Sequence, residues 1–175
     1  MWRAFPLLAV VLHFLGGRAL AFEVTADAFQ HDGNIPILHT CDGEDISPPL
    51  RWQDVPSATK SFALIADDPD APMGTWVHWL VYDIPASARE LKAGIPPSEA
   101  LSDGSRQGST NFGRSGYGGP CPPPGKPHRY YFKLYALDTL LNLPPAQATK
   151  SELLKAMEGH VLQEAQLMGR YQRKR

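Results

Sequence analysis

Three side chains that could bind an anion or a metal ion lie at the ends of apolar segments. Asp68 follows one apolar run, His78 lies inside a second, and His128 directly precedes a third. In one interpretation, the two imidazoles donate N–H groups to phosphate or carboxylate oxygens, and the acid orients one ring by accepting from its other nitrogen. The backbone N–H groups of Gly118 and Gly119 would then add donors to this anion pocket.

The same three side chains allow other interpretations. Two histidines and one carboxylate form the donor set of a facial metal triad, and two histidines can also be ordinary core residues. The motif DDPDAP around Asp68 is, taken alone, typical of a solvated Asx-Pro turn. No ligand-pair spacing such as His-x-x-x-His separates these possibilities. Nucleophilic catalysis is disfavoured, because the chain contains no Gly-x-Ser-x-Gly motif.

The segments that carry these side chains have the composition of β-strands. Runs rich in β-branched and aromatic residues, bounded by Pro, Asp or Gly, predict core strands at Ser61–Asp67, Trp76–Ile84 and Arg129–Leu137. Shorter strands are predicted at Phe22–Thr25 and Leu50–Trp52.

Alternation along the second run predicts which of its side chains share a face. Successive side chains of a strand point to opposite faces of a sheet. We therefore expect Trp76 and His78 on one face, and Val77 and Trp79 on the other.

The C-terminal part of the chain predicts one helix, followed by a segment that fits either a helix or a strand. Thr149 and Glu152 have the spacing of a capping box, so a helix is expected over about 150–158, with Gly159 ending it. Residues 160–172 could continue as helix, but apolar and small residues at period two also fit a closing strand.

A long segment between Ser102 and Pro127 lacks apolar periodicity and is rich in glycine and proline. A stretch of this length without secondary structure is more often a functional loop than a plain connector. Its prolines stiffen the second half and lower the entropy lost when the loop closes over a ligand. We refer to residues 102–127 as the Gly/Pro loop.

The N-terminal residues have the three parts of a secretory signal peptide. A charged start, an apolar stretch and the small residues Ala19-Leu20-Ala21 predict a leader over residues 1–21, with cleavage between Ala21 and Phe22. Residues 22–175 then form a single mature domain without a membrane span, exported to the periplasm or the medium. In an oxidising compartment Cys41 and Cys121 can form one disulfide, and two free buried thiols are the alternative.

Charge and composition exclude some classes of partner. The chain of 175 residues has a formal net charge of −1 and a pI near 6.6. It therefore lacks the basic field that nucleic-acid binding requires.

Several motifs resemble one protein family. The resemblance is to the phosphatidylethanolamine-binding proteins, also called the Raf kinase inhibitor family, and it extends over about Phe22 to Tyr171. Its signature blocks are similar to DPDAP at Asp68–Pro72, WVHW at Trp76–Trp79 and GGPCPPPGKPHRYYF at Gly118–Phe132. The bacterial and archaeal branch is indicated by CDGEDISPPLRW at Cys41–Trp52 and NFGRSGYGGPCPP at Asn111–Pro123.

The resemblance implies a mainly β fold with a large antiparallel sheet, a smaller sheet and one or two short helices. The C-terminal tail would then be a strand, and the Gly/Pro loop would lie beside a small anion pocket. The implied pocket residues are Asp68, Trp76, His78, Gly119, Pro122, His128 and Tyr130. Asp70 and Arg129 are expected to be framework residues beside the site, joined by an ion pair.

The function implied is binding rather than catalysis. We expect an exported protein, without metal or cofactor, that binds small anions or phosphorylated headgroups. A serine protease inhibitor that acts through the surface of the pocket and the Gly/Pro loop is the alternative, with a protease or another protein as its partner.

Overall fold

The computed structural model describes residues 21–173. The predicted signal peptide falls almost entirely on residues 1–20 and so lies outside the described residues. Within residues 21–173, no helix is both long and apolar enough to cross a membrane.

The described chain is mainly β, as predicted. It contains one α-helix, α1 (Lys150–Met157), and single turns of 3-10 helix at Ile37–His39 and Pro145–Gln147. Its strands are β1 (Glu23–Ala26), β2 (Gly33–Asn34), β3 (Leu50–Gln53), β4 (Ser61–Asp68), β5 (Trp76–Pro85), β6 (Glu90–Leu91), β7 (Arg106–Gln107), β8 (His128–Leu137) and β9 (Val161–Tyr171).

The strands form a large and a small sheet. The large sheet has six strands in the order β2-β9-β8-β4-β5-β7 and is antiparallel except where β2 pairs with β9. The small sheet is antiparallel, in the order β1-β3-β6. The end of β4 and the starts of β5 and β8 therefore meet at one edge of the large sheet.

The central strand β4 is buried along its whole length because both faces of the large sheet are covered. On one face Phe62 contacts Trp52 of the small sheet, with ring centroids 5.3 Å apart. On the other face Ile65 belongs to a second apolar cluster together with Leu153 and Met157 of α1.

The helix and the closing strand have the predicted positions. The Thr149 hydroxyl accepts a hydrogen bond from the N–H of Glu152 at 3.3 Å, which caps α1. Gly159 has φ of +77°, a conformation that glycine adopts without steric cost. The tail after it is β9, which pairs with β8 along its length.

The predicted alternation along β5 was wrong at its centre. Ala66 of β4 pairs with Trp79 and Asp67 with Val77, so His78 is an extra residue in β5. As a result, Val77 packs in the cluster that contains α1, while Trp79 packs in the opposite cluster. A one-residue bulge at His78 interrupts the alternation of side chains between the two faces of the sheet. The sequence of β5 itself gives no signal of where this bulge lies.

The prediction that the Gly/Pro loop lacks regular structure was wrong in its first half. This half contains β7, which pairs with Val81 and Tyr82 of β5. Gln107 of β7 is fully buried, accepts from Nε1 of Trp79 at 2.7 Å and donates to the carbonyls of Pro96 and Ser98, which precede the loop. Since hydrogen bonds rather than apolar side chains hold this strand, no hydrophobic period reveals it.

Cys41 and Cys121 form a disulfide across a sequence separation of 80 residues. It joins the second half of the Gly/Pro loop to the turn that follows the first 3-10 helix. The backbone N–H of Cys41 also donates to the carbonyl of Pro120 at 3.1 Å. The loop is therefore fixed to the domain beside the edge where β4, β5 and β8 meet.

Candidate functional site

A cavity of about 220 Å³ opens at the edge where β4 ends and β5 and β8 begin. Most of the residues proposed from the sequence line it; Gly119 does not. The complete lining consists of Asp68, Ala71, Pro72, Trp76, His78, Phe112, Cys121, Pro122, Pro123, His128 and Tyr130. Polar side chains come from the sheet and apolar ones mainly from the two loops.

The predicted donors from Gly118 and Gly119 are not free to bind a ligand. The N–H of Gly119 donates to Oδ1 of Asp45 at 2.6 Å, and that of Gly118 donates to the carbonyl of His78 at 3.0 Å. A Cβ atom on Gly119 would lie 2.4 Å from the carbonyl oxygen of His39. Gly119 is therefore required for close packing of the loop, and its assignment as a pocket residue was wrong.

Asp68 orients the imidazole of His128. Its Oδ2 accepts a hydrogen bond from Nδ1 of His128 at 2.8 Å, and its Oδ1 accepts one from the N–H of Asp70 at 2.8 Å. The Asp68 side chain is only 4% exposed, so these bonds replace water for most of the carboxylate. Because Nδ1 carries the proton of this bond, Nε2 of His128 is protonated only in the imidazolium form.

His78 is held as a neutral ring in a different orientation. Its Nδ1 lies 2.6 Å from the carbonyl oxygen of Gly118, which can only accept, so Nδ1 carries the proton. Burial lowers the pKa of His78, and the bond to Gly118 opposes this shift without cancelling it. In the neutral ring Nε2 is an acceptor, which differs from the expectation that both imidazoles donate to the anion.

Tyr130 lines the cavity, and its hydroxyl group lies near the carboxylate of Asp68. Its hydroxyl is buried and makes no hydrogen bond within the described part of the chain. Burial, together with the charge of Asp68, raises the pKa of Tyr130, so the hydroxyl keeps its proton. Leaving a buried polar group unpaired costs about 1 to 3 kcal/mol, and a bound acceptor would remove this cost.

The predicted ion pair between Asp70 and Arg129 forms beside the cavity. Arg129 donates from Nε at 2.9 Å and from Nη2 at 2.7 Å, one bond to each carboxylate oxygen. These bonds lower the pKa of Asp70 to about 2. The pair fixes the turn after β4 against the start of β8, where Asp68 and His128 meet.

Phe112 is the main lining residue that sequence reasoning missed. It lies in the first half of the Gly/Pro loop, and its ring contacts His78 and Trp76 at centroid distances of 5.4 and 5.6 Å. Periodicity gives no signal for a single aromatic residue in a glycine-rich segment. Its place in the motif NFGRSGYGG was the available signal.

Two other features bear on the choice of site. In residues 21–173, no group of three His, Cys, Asp or Glu side chains is arranged to hold a metal ion. A larger and more open groove of about 740 Å³ is lined by three acidic side chains and one basic one, Glu44, Asp45, Glu99 and Arg114, among others. Its carboxylates disfavour an anion, so the smaller cavity is the better candidate for the predicted chemistry.

Comparisons with known proteins agree on one family. The family model for phosphatidylethanolamine-binding proteins matches residues 25–172. The chain is 55% identical over 146 residues to a UPF0098 protein of Methanothermobacter thermautotrophicus, covering 83% of this chain and 95% of the relative. It is 51% identical over 162 residues to a UPF0098 protein of Aquifex aeolicus, covering 91% of this chain and 93% of the relative.

Two crystal structures have similar folds. One is a homologue of the phosphatidylethanolamine-binding proteins from Chlamydia trachomatis, with a TM-score of 0.80, 40% identity and coverage of 88% of this chain and 99% of the other. The second is YbcL of E. coli, described as a new member of the mammalian family. It has a TM-score of 0.81, 33% identity and coverage of 89% of this chain and all of the other.

Proposed function

Because the chain belongs to the phosphatidylethanolamine-binding protein family, we propose that it is a binding protein that holds a phosphate-like or carboxylate anion in the cavity beside Asp68, His128 and Tyr130. The observation that carries this proposal is the hydroxyl of Tyr130. Within residues 21–173 this buried donor makes no hydrogen bond of acceptable geometry, and Tyr130 lines a cavity that is also lined by two imidazole rings. An oxygen atom of a bound anion would accept a hydrogen bond from this hydroxyl group.

The hydrogen-bonding groups of the cavity match a hydrogen phosphate group. Tyr130 donates an O–H, and the imidazolium of His128 donates Nε2–H with its charge balanced by Asp68. Nε2 of His78 accepts, and a phosphate that keeps one proton can donate to it. A carboxylate offers no proton to His78, so a phosphate monoester is the better fit of the two anions.

The cavity residues support binding without catalysis. Cys121 is in a disulfide, and the hydroxyl of Tyr130 keeps its proton. Neither therefore supplies an activated nucleophile. Asp68 and His128 are hydrogen-bonded to each other, and in the proposed function the carboxylate orients the ring toward the anion.

Export is part of the proposal. A disulfide between Cys41 and Cys121 is stable in an oxidising compartment and rare in the cytosol. Together with the predicted leader over residues 1–21, it supports a protein that acts in the periplasm or the medium.

A serine protease inhibitor stays the alternative function. An inhibitory loop must be exposed and already rigid before it binds. Residues 123–127 of the Gly/Pro loop are exposed, contain three prolines and follow the disulfide-bonded Cys121. The test is inhibition of trypsin-like and chymotrypsin-like enzymes at micromolar protein, and full protease activity at that concentration would dismiss this function.

Titration of the protein with inorganic phosphate and O-phosphorylethanolamine, followed by NMR of the histidine side chains, tests the proposed binding. We expect saturable shifts of the His78 and His128 signals, and loss of binding in His128→Ala. His160→Ala is a matched control, because His160 pairs with Asp138 at the opposite end of β8. Unchanged affinity in His128→Ala, or no shift with millimolar ligand, would refute the proposal.

A further inference from the structure

The cavity is larger than a bare anion requires. Room for one bound water takes only about 10 to 15 Å³ of such space, so a cavity of about 220 Å³ has room for atoms beyond an anion. Inorganic phosphate has five non-hydrogen atoms, and its partners Tyr130 and His128 lie at the polar end. The remaining space is bounded by Trp76, Phe112 and proline rings.

Aromatic rings connect the buried floor of the cavity to its mouth. His78 contacts Tyr130 edge to face at 5.2 Å and Phe112 at 5.4 Å, and Phe112 in turn contacts Trp76 at 5.6 Å. Tyr130 is 3% exposed and His78 is 5% exposed, whereas Phe112 is 38% exposed. The ring of Phe112 therefore stands at the mouth, half in contact with solvent.

Phe112 is held in this position by the loop around it. The side chain of Asn111 accepts from the N–H of Val77 at 2.7 Å, and the N–H of Asn111 donates to the carbonyl of Val77 at 3.1 Å. The guanidinium of Arg114 lies 5.7 Å from the centroid of the Phe112 ring. A Cβ atom on Gly118 would lie 2.4 Å from that ring, so only glycine there leaves room for it.

We propose that Phe112 is a specificity-determining residue, which with Trp76 forms an aromatic subsite that selects phosphate monoesters carrying an aryl group. This inference rests on the proposed anion binding at Tyr130 and His128. With the phosphate at the polar end, the ester oxygen points toward the mouth, and an aryl ring can pack edge to face or offset against Phe112. A charged ammonium group, as in phosphorylethanolamine, gains less from these apolar walls.

The aryl phosphate could be a small ester or a phosphorylated tyrosine side chain of a polypeptide. Both present the same chemistry to Phe112 and the same phosphate to the floor. Phenyl phosphate and a short peptide that contains phosphotyrosine distinguish them. The peptide binds more tightly only if residues beyond the mouth, such as the exposed Met73, add contacts.

The experiment compares the affinities of inorganic phosphate, O-phosphorylethanolamine and phenyl phosphate by calorimetric titration. We expect wild-type protein to bind phenyl phosphate roughly tenfold more tightly than the other two, the size of effect that a well-placed aromatic contact gives. Phe112→Ala should lose this preference, so that its affinities for phenyl phosphate and for inorganic phosphate differ by no more than about twofold. Phe112→Leu retains an apolar side chain and should keep only part of the preference.

The outcomes separate the two proposals. If wild-type protein binds phosphate but binds phenyl phosphate no more tightly, the aromatic subsite is refuted and the anion site stands. The aromatic subsite is also refuted if Phe112→Ala still binds phenyl phosphate more tightly than inorganic phosphate. If neither ligand binds the wild-type protein, the proposed function itself fails.

Discussion

Nδ1 of His128 donates to Oδ2 of Asp68 at 2.8 Å, from the first residue of β8 to the last residue of β4. Both side chains are largely buried, at 11% and 4% exposed. This bond fixes the orientation of the ring and leaves Nε2 of His128 as the nitrogen available to the cavity. In the proposed function, this pair supplies the charged donor for the anion.

Asp68→Asn should weaken phosphate binding by about tenfold or more. An amide does not balance the charge of an imidazolium, and charge-assisted hydrogen bonds are about twice as strong as neutral ones. Calorimetric titration with phosphate measures the change. Asp138→Asn is the matched control, since Asp138 accepts from Nδ1 of His160 at the same 2.8 Å on the exposed surface. Equal affinities in Asp68→Asn and wild-type protein would show that the pair does not act in binding.

Phosphate affinity should fall as pH rises, because deprotonation of an imidazolium removes its positive charge and one N–H donor. With Nδ1–H committed to Asp68, His128 offers Nε2–H only as the imidazolium. Titrations at several pH values, with the ligand's own ionisation accounted for, measure this dependence. A flat profile would indicate that neutral donors such as Tyr130 account for the affinity.

His78 should make the fold less stable at mildly acid pH. Burial lowers its pKa in the folded protein below 6.5, while the unfolded chain keeps the ordinary value. As pH falls through 6.5 the unfolded state binds the proton first, so the free energy of unfolding decreases until the folded-state pKa is reached. Denaturant unfolding at neutral and mildly acid pH should show that the free energy of unfolding decreases more with acidification in wild-type protein than in His78→Gln. An equal decrease in the two proteins would contradict a neutral, buried His78.

Joint replacement of Cys41 and Cys121 by serine should lower the free energy of unfolding by roughly 4 to 5 kcal/mol at most, the chain-entropy value for a loop of 80 residues. Anion affinity should also weaken, because Cys121 and Pro122 form one wall of the cavity. Denaturant unfolding and phosphate titration measure the two effects. Wild-type protein treated with a dithiol reductant should behave like the variant. An unchanged free energy of unfolding in the variant would show that the disulfide does not stabilise the fold.

The sequence predicted the longer strands and the helix because their signals are local, and it missed the two-residue strands β2, β6 and β7. Apolar and aromatic runs mark β4, β5 and β8, and the capping residue Thr149 marks the start of α1. The ion pair of Asp70 and Arg129 and most of the cavity residues came from family motifs rather than from periodicity. The strand that follows Gly159 also depended on the resemblance, since its pattern alone allowed a helix.

The errors arose where distant residues decide the local structure. The N–H of Gly119 is occupied by Asp45, which lies 74 residues earlier in the chain. The bulge at His78 follows from pairing with β4, so alternation within β5 could not place Trp79. Phe112 reaches the cavity only because Asn111 binds the backbone of Val77, 34 residues away.

Comparison of Tyr130→Phe with wild-type protein, in phosphate affinity and in the free energy of unfolding, is the sharpest test of anion binding in the cavity. We expect at least tenfold weaker binding with an unfolding free energy that is unchanged or about 1 kcal/mol higher, since the variant removes a buried hydroxyl that makes no hydrogen bond within residues 21–173. Tyr135→Phe is the control, because Tyr135 lies on β8 in the opposite apolar cluster. Equal phosphate affinity in Tyr130→Phe and wild-type protein would contradict the claim that this hydroxyl binds the anion.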